Sequence, residues 1–266
     1  VDERAYIKKL TSNVSLVSIV HTSPVTGMTV DLEKITKEVR NVTPDCIIIV
    51  DGIQHSSHGA IDVQKYDIDG YVVSPYKMFS RHGYGVAWAS ERLCTLNKEQ
   101  LADGPFQNWE LGTRDAGSYA TFSDVVDYLD WLGSNFTESE NTRERLEASS
   151  IAIKSHEQEL VDLVINGAED IVGLRNNKKI RIIGNSASTS REGVVSFFHK
   201  NKPSRIIVEE LRQRKIRVHI RKDDHYCGNI LRPLNQKDCI RFSICHYNSK
   251  AEVVEFLRAI NQISAN

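Results

Sequence analysis

A chain of 266 residues with a formal net charge of -1, 40% apolar and 26% charged, is long enough for one large domain or two ordinary ones. That balance excludes a global attraction to nucleic acid or to acidic membranes, so a charged ligand has to be held by a local site. Five cysteines, with no CxxC pair, point to reduced thiols in a cytoplasmic protein rather than to a disulfide framework or a structural metal.

The elements follow in chain order. No apolar run approaches the ~20 residues that span a bilayer, and the charged start VDERAYIKKL has no signal-peptide pattern. Residues 14–20 form a β-rich run that ends at His21-Thr22-Ser23-Pro24. Asp31 then stands where a helix cap belongs, before Leu32, Ile35 and Val39 at helical spacing. Cys46-Ile47-Ile48-Ile49-Val50 is continuously apolar, as a central parallel strand covered on both faces requires, and it ends at Asp51-Gly52. A third run, Tyr71-Val72-Val73, leads into Ser74-Pro75-Tyr76-Lys77, and Val86–Ala89 follows a glycine-bracketed turn. Helices are expected around Val125, Leu129 and Leu132, and from Thr142 to Ile165.

Beyond these the pattern changes to short strands at 180–183, 193–198, 216–220 and 240–245. Helices are expected at 203–215, with Pro203 in the first turn, and at 250–263. The fold class is therefore α/β: a large domain with a mainly parallel sheet over 1–141, then a long connecting helix and a smaller C-terminal α+β domain over 142–266. Open sheets of this kind bind ligands at the carboxyl ends of their strands. Asp51 and Gln54 after one strand and Ser74 to Lys77 after the next gather at that edge.

The ordered set Asp51, Gln54 and Ser74-Pro75-Tyr76-Lys77, with His21-Thr22-Ser23-Pro24-Val25-Thr26-Gly27, Gly112-Thr113 and Cys239-Ile240-Arg241-Phe242-Ser243, resembles the class V aminotransferase family. Its members use pyridoxal 5'-phosphate (PLP) and include cysteine desulfurases, selenocysteine lyases, kynureninases and isopenicillin epimerases. The resemblance implies a PLP-transferase-like large domain, present here in part. It also implies an amino-acid substrate and a homodimer. Lys77 would be the Schiff-base lysine, Asp51 the partner of the pyridine nitrogen, and Gln54 the donor to the phenolic oxygen. Ser74 and Tyr76 would contact the phosphate. Thr113 would reach the phosphate of the neighbouring subunit's cofactor, and Arg241 would hold the substrate carboxylate.

Other residues keep two readings. Cys227, in His225-Tyr226-Cys227-Gly228-Asn229, lies roughly where the resemblance puts the persulfide-forming thiol of desulfurases, while the Asn229–Leu234 segment after it reads more as a related subgroup in which the cysteine is not catalytic. His55 and His58 suit acid–base or metal roles, or a structural role in a loop. Arg221 is a second carboxylate ligand or one member of a charged stretch, and the remaining cysteines read as core residues.

The chain departs from the family in three places. Family members carry well over a hundred residues before the segment matching Val1, so the chain is expected to be a fragment. Pro24 stands where an asparagine is common, and Tyr76 stands where desulfurases carry a histidine, so no imidazole precedes the lysine. The expected function is a cysteine desulfurase-like PLP lyase. The alternatives are an epimerase or aminotransferase, or an inactive homologue serving as a dimerisation module.

Overall fold

The computed structural model describes residues 4–102, 109, 111–112, 115–185 and 191–265. The chain divides into two compact units, one formed by Val1–Thr22 with Val30–Ile151 and the other by Ser23–Thr29 with Ala152–Asn266.

In the first unit a short helix α1 (Arg4–Ile7) precedes β1 (Leu16–Val20). Asp31 caps α2 (Leu32–Val42), its carboxylate accepting the Lys34 N–H at 3.1 Å. The periodic residues Leu32, Ile35 and Val39 are all buried, so the amphipathic stripe read from the sequence is the face that packs. β2 (Ile47–Asp51), β3 (Gly70–Val73) and β4 (Val86–Ala89) complete a sheet ordered β1-β2-β3-β4. Its first three strands are parallel and β4 is antiparallel. With partners on both sides β2 is the internal strand its composition requires, although only Ile48 and Val50 are fully buried and the alternate residues are half-buried. α3 (Glu91–Cys94), α4 (Ala116–Gly133) and α5 (Thr142–Asn166) follow, and the division between the units falls inside α5.

The second unit opens with a two-stranded hairpin, β5 (Gly167–Ala168) and β6 (Ile171–Val172). Its main sheet has β7 (Ile180–Ile182), β8 (Val194–His199), β9 (His219–Lys222) and β10 (Asp238–Ser243) in the antiparallel order β7-β8-β10-β9. α6 (Ser204–Gln213), α7 (Gly228–Leu231) and α8 (Lys250–Ala265) complete it. Phe197, Ile240 and Phe256 share its core with Ile207 and Leu211 of α6.

Three boundaries differ from the sequence expectations. Pro203 is the N-cap of α6, with an extended ψ of 138°, rather than a first-turn residue. The strand expected at 216–220 forms at 219–222, because Lys215 adopts a left-handed φ of 63° and Ile216 N–H bonds back to Leu211 O at 2.9 Å. β10 begins and ends two residues early, since Cys245 N–H is taken by the Asn248 side chain at 2.9 Å and leaves the ladder.

Segment 23–29 is held to the second unit by main-chain bonds. Glu192 N–H donates to Gly27 O at 2.9 Å and Met28 bridges to Arg191. Gly27 has a φ of 74° and lies so close to Val194 O that a Cβ would collide with it. The Arg191 guanidinium is 4% exposed and donates to the carbonyls of Thr26, Val194, Ile183 and Asn185. Burial lowers its pKa to about 10.

Candidate functional site

The parallel register Val20↔Asp51 and Asp51↔Val72 brings the carboxyl ends of β1, β2 and β3 level. The ladder runs one step further, with His21 N–H on Asp51 O and Gly52 N–H on Val72 O, both at 2.9 Å. Three polar segments therefore leave the sheet side by side: His21-Thr22, Asp51 to His58, and Ser74 to Lys77. Asp51 is half-buried and its Oδ1 accepts the Ile53 N–H at 3.0 Å, which fixes the carboxylate at the strand end.

Two 3-10 turns set the next residues. Gln54 is the N-cap and His58 the C-cap of the turn His55–Ser57, so residues four apart in sequence lie side by side. Ser74 caps the turn Pro75–Met78, and Pro75 supplies the fixed φ that starts it. The Ser74 side chain makes no bond to the turn it caps. Phe79, with a φ of 72°, ends it. Lys77 Nζ consequently donates to Gln54 Oε1 at 3.0 Å, and the other end of the same amide meets His58 Nε2 at 3.1 Å. Gln54 and His58 are 9% and 3% exposed.

Beneath them the rings of His21 and His55 stack at 3.7 Å, and His21 Nδ1 meets the Tyr71 hydroxyl at 2.8 Å. All three are buried. Tyr71 lies directly under Gly52, where any Cβ would strike its ring. In the sequence expectations His58 stood between an acid–base or metal role and a structural one, and Tyr71 had no role. The spacing Gln54-x-x-x-His58 was the available signal for the first, and a large aromatic three residues before Ser74 was a weak one for the second. Tyr76, by contrast, is 41% exposed and its ring stacks on His82 at 4.3 Å.

In the second unit Arg241 on β10 donates from Nη1 to Pro24 O at 3.0 Å. The Cys227 thiol is fully buried among Val25, Ile183, Phe198, Leu231 and Cys239. Its Sγ accepts from Arg221 Nε at 3.2 Å, and its N–H donates to Asp224 Oδ1 at 3.0 Å. The thiol as folded has no surface from which to attack a substrate. Cys239 beside it is pushed up to about 11 by burial. Cys46 and Cys239 are core residues, while Cys94 and Cys245 are half-buried. Thr113 lies outside the described residues.

The model of the family described as aminotransferase class-V matches residues 1–256. Among curated proteins, an aminotransferase-like protein FGM3 of Gibberella zeae is 27% identical over 96% of this chain and 60% of its own length. A probable cysteine desulfurase of Treponema pallidum is 23% identical over the same shares. Among solved structures, the apo cysteine desulfurase of Thermococcus onnurineus superposes with a TM-score of 0.78 at 21% identity, covering all of this chain and 63% of that one. The fold is that of the PLP-transferases, and the chain spans about 60% of the length of the relatives it matches. With the model of the family matched along nearly the whole sequence, the chain belongs to the class V aminotransferase family.

Proposed function

We propose that this chain carries the lysine-bearing part of a PLP-dependent enzyme acting on an amino acid, in the cysteine desulfurase-like mould. The observation that carries the reading is the Lys77–Gln54 bond at the carboxyl edge of the sheet, the edge at which Asp51 ends β2. The donor set suits PLP: an amine for the aldehyde, a carboxylate for the pyridine nitrogen, an amide donor for the phenolic oxygen, and a Ser74 hydroxyl that its own turn does not use. When bound, PLP supplies an electron sink for the substrate's α-carbon, which no side chain here provides.

The remaining steps belong to the chain. Asp51 would hold positive charge on the pyridine nitrogen of the bound cofactor. Lys77, once its amine is free and neutral, takes the proton from the substrate α-carbon and returns one. Arg241 would offer a planar fork for the substrate carboxylate, with Nη1 donating to the Pro24 carbonyl. Incubating the full-length protein with PLP, reducing with borohydride and mapping peptides should place a pyridoxyl group on Lys77. An unmodified Lys77 would defeat the reading.

The burial of Cys227 favours a second reading, an aminotransferase or epimerase in which that thiol takes no part. The Cys227→Ala variant separates the two. Sulfide release from cysteine that disappears in the variant supports the lyase, whereas unchanged turnover of an amino acid supports the second reading.

A further inference from the structure

We propose that His58 is a positioning residue: it selects which end of the Gln54 amide faces Lys77, and so presents the amide to the cofactor in one orientation. An ammonium has donors and no acceptor, so the Gln54 atom 3.0 Å from Lys77 Nζ is the carbonyl oxygen Oε1. The amide nitrogen therefore lies at the opposite end, 3.1 Å from His58 Nε2. Two donors cannot share that bond. His58 Nε2 must be the acceptor, and the imidazole is the neutral tautomer with its proton on Nδ1.

The arrangement is local and dry. The turn His55–Ser57 ends with His58 N–H on His55 O at 2.9 Å, which fixes the backbone on which both partners ride. Gln54 and His58 are each more than nine-tenths buried, leaving little room for water to take over the lone pair. Wherever Lys77 no longer donates to Oε1, as when its amine is engaged by the cofactor, His58 alone keeps the amide from turning over by half a rotation. The amide nitrogen carries two N–H bonds, of which His58 takes one, so the orientation it sets leaves the other for an anionic oxygen.

The inference deepens the PLP reading and rests on it for its cofactor arm; its other arm does not need the cofactor. In the cofactor-free full-length protein, nitrogen-15 NMR of the histidine rings at neutral pH should show His58 with Nδ1 protonated and Nε2 bare. A His58 ring protonated at Nε2, alone or with Nδ1, would overturn the inference. In the second arm PLP is titrated into wild type, His58→Gln and His58→Phe while the absorption band of the bound cofactor is followed. His58→Phe should weaken PLP binding about fivefold, the worth of one buried neutral hydrogen bond, and shift the band. His58→Gln, whose side-chain oxygen can accept in the same place, should restore both. Equal affinity and an unmoved band in His58→Phe would overturn the inference, as would equal loss in both variants. If wild type itself gives no band, the PLP reading fails and the tautomer measurement alone decides the role of His58.

Discussion

Gly52 is the residue at which a single methyl group acts most sharply on the site edge. A Cβ there would enter the ring of Tyr71, whose hydroxyl meets His21 and whose ring is itself buried. Gly52→Ala should therefore destabilise by about 2 kcal/mol through overpacking, read as a lower denaturation midpoint with an unchanged slope. Tyr71→Ala is destabilising on its own, and the combined variant should lose less than the sum of the two, because the changes share one volume. Additive losses would show that the clash is not the cause. At this scale the gathering of Asp51, Gln54 and Lys77 at one sheet edge was legible, because each follows an apolar strand, and the fold sets Lys77 within a hydrogen bond of Gln54. It was silent on Tyr71 because an aromatic residue in a strand is an ordinary core residue until the glycine above it is seen. It left His58 open because a histidine after two serines has no periodicity, and only the turn geometry sets it beside Gln54.

Among elements, the strands β2 and β3 are held at their amino ends by one carboxylate. Asp69, immediately before β3, accepts from Ile48 N–H at 2.8 Å, Arg40 Nη2 at 3.0 Å, Arg92 Nε at 2.7 Å and the Ser90 hydroxyl at 3.1 Å. Burial alone would raise its pKa, yet the Ile48 N–H and the two guanidiniums outweigh burial and hold it below the ordinary carboxylate value. A depressed carboxyl pKa means that the unfolded chain takes up the proton first as pH falls. The Asp69 contribution is thus complete above the unfolded value of about 4 and is lost as pH drops through the lower folded value. Asp69→Asn should cost about 3 kcal/mol at neutral pH by leaving two arginines without their acid, and it should flatten the stability loss that sets in below about pH 4. A variant with the wild-type acid profile would refute the assignment. Asp69 was not singled out from sequence, since its partners lie 21 to 29 residues away. The elements themselves were legible where periodicity was strong, as in α2 and α5. They slipped where a local stop, such as the left-handed Lys215 after α6, overrode the apolar run that follows.

At the level of the whole molecule, each compact unit carries its own core, and the passage of Ser23–Thr29 from the first unit to the second had no compositional mark. Its signal is structural: Gly27 against Val194 O and the Arg191 guanidinium spread over four carbonyls. The same scale governs assembly, where the resemblance implies that a site takes Lys77 from one subunit and Thr113 from another. A shared site makes a mixing prediction that a self-contained one does not. Lys77→Ala and Thr113→Ala subunits of the full-length protein, each impaired alone, should on mixing form hybrids with one site that holds both native residues. Statistical pairing of a two-fold dimer puts about a quarter of all sites in that state. Tight PLP binding, followed by the cofactor's absorption band, should return at that level after subunit exchange. No recovery, despite exchange shown by differently tagged chains, would mean that Thr113 serves the site of its own subunit or none.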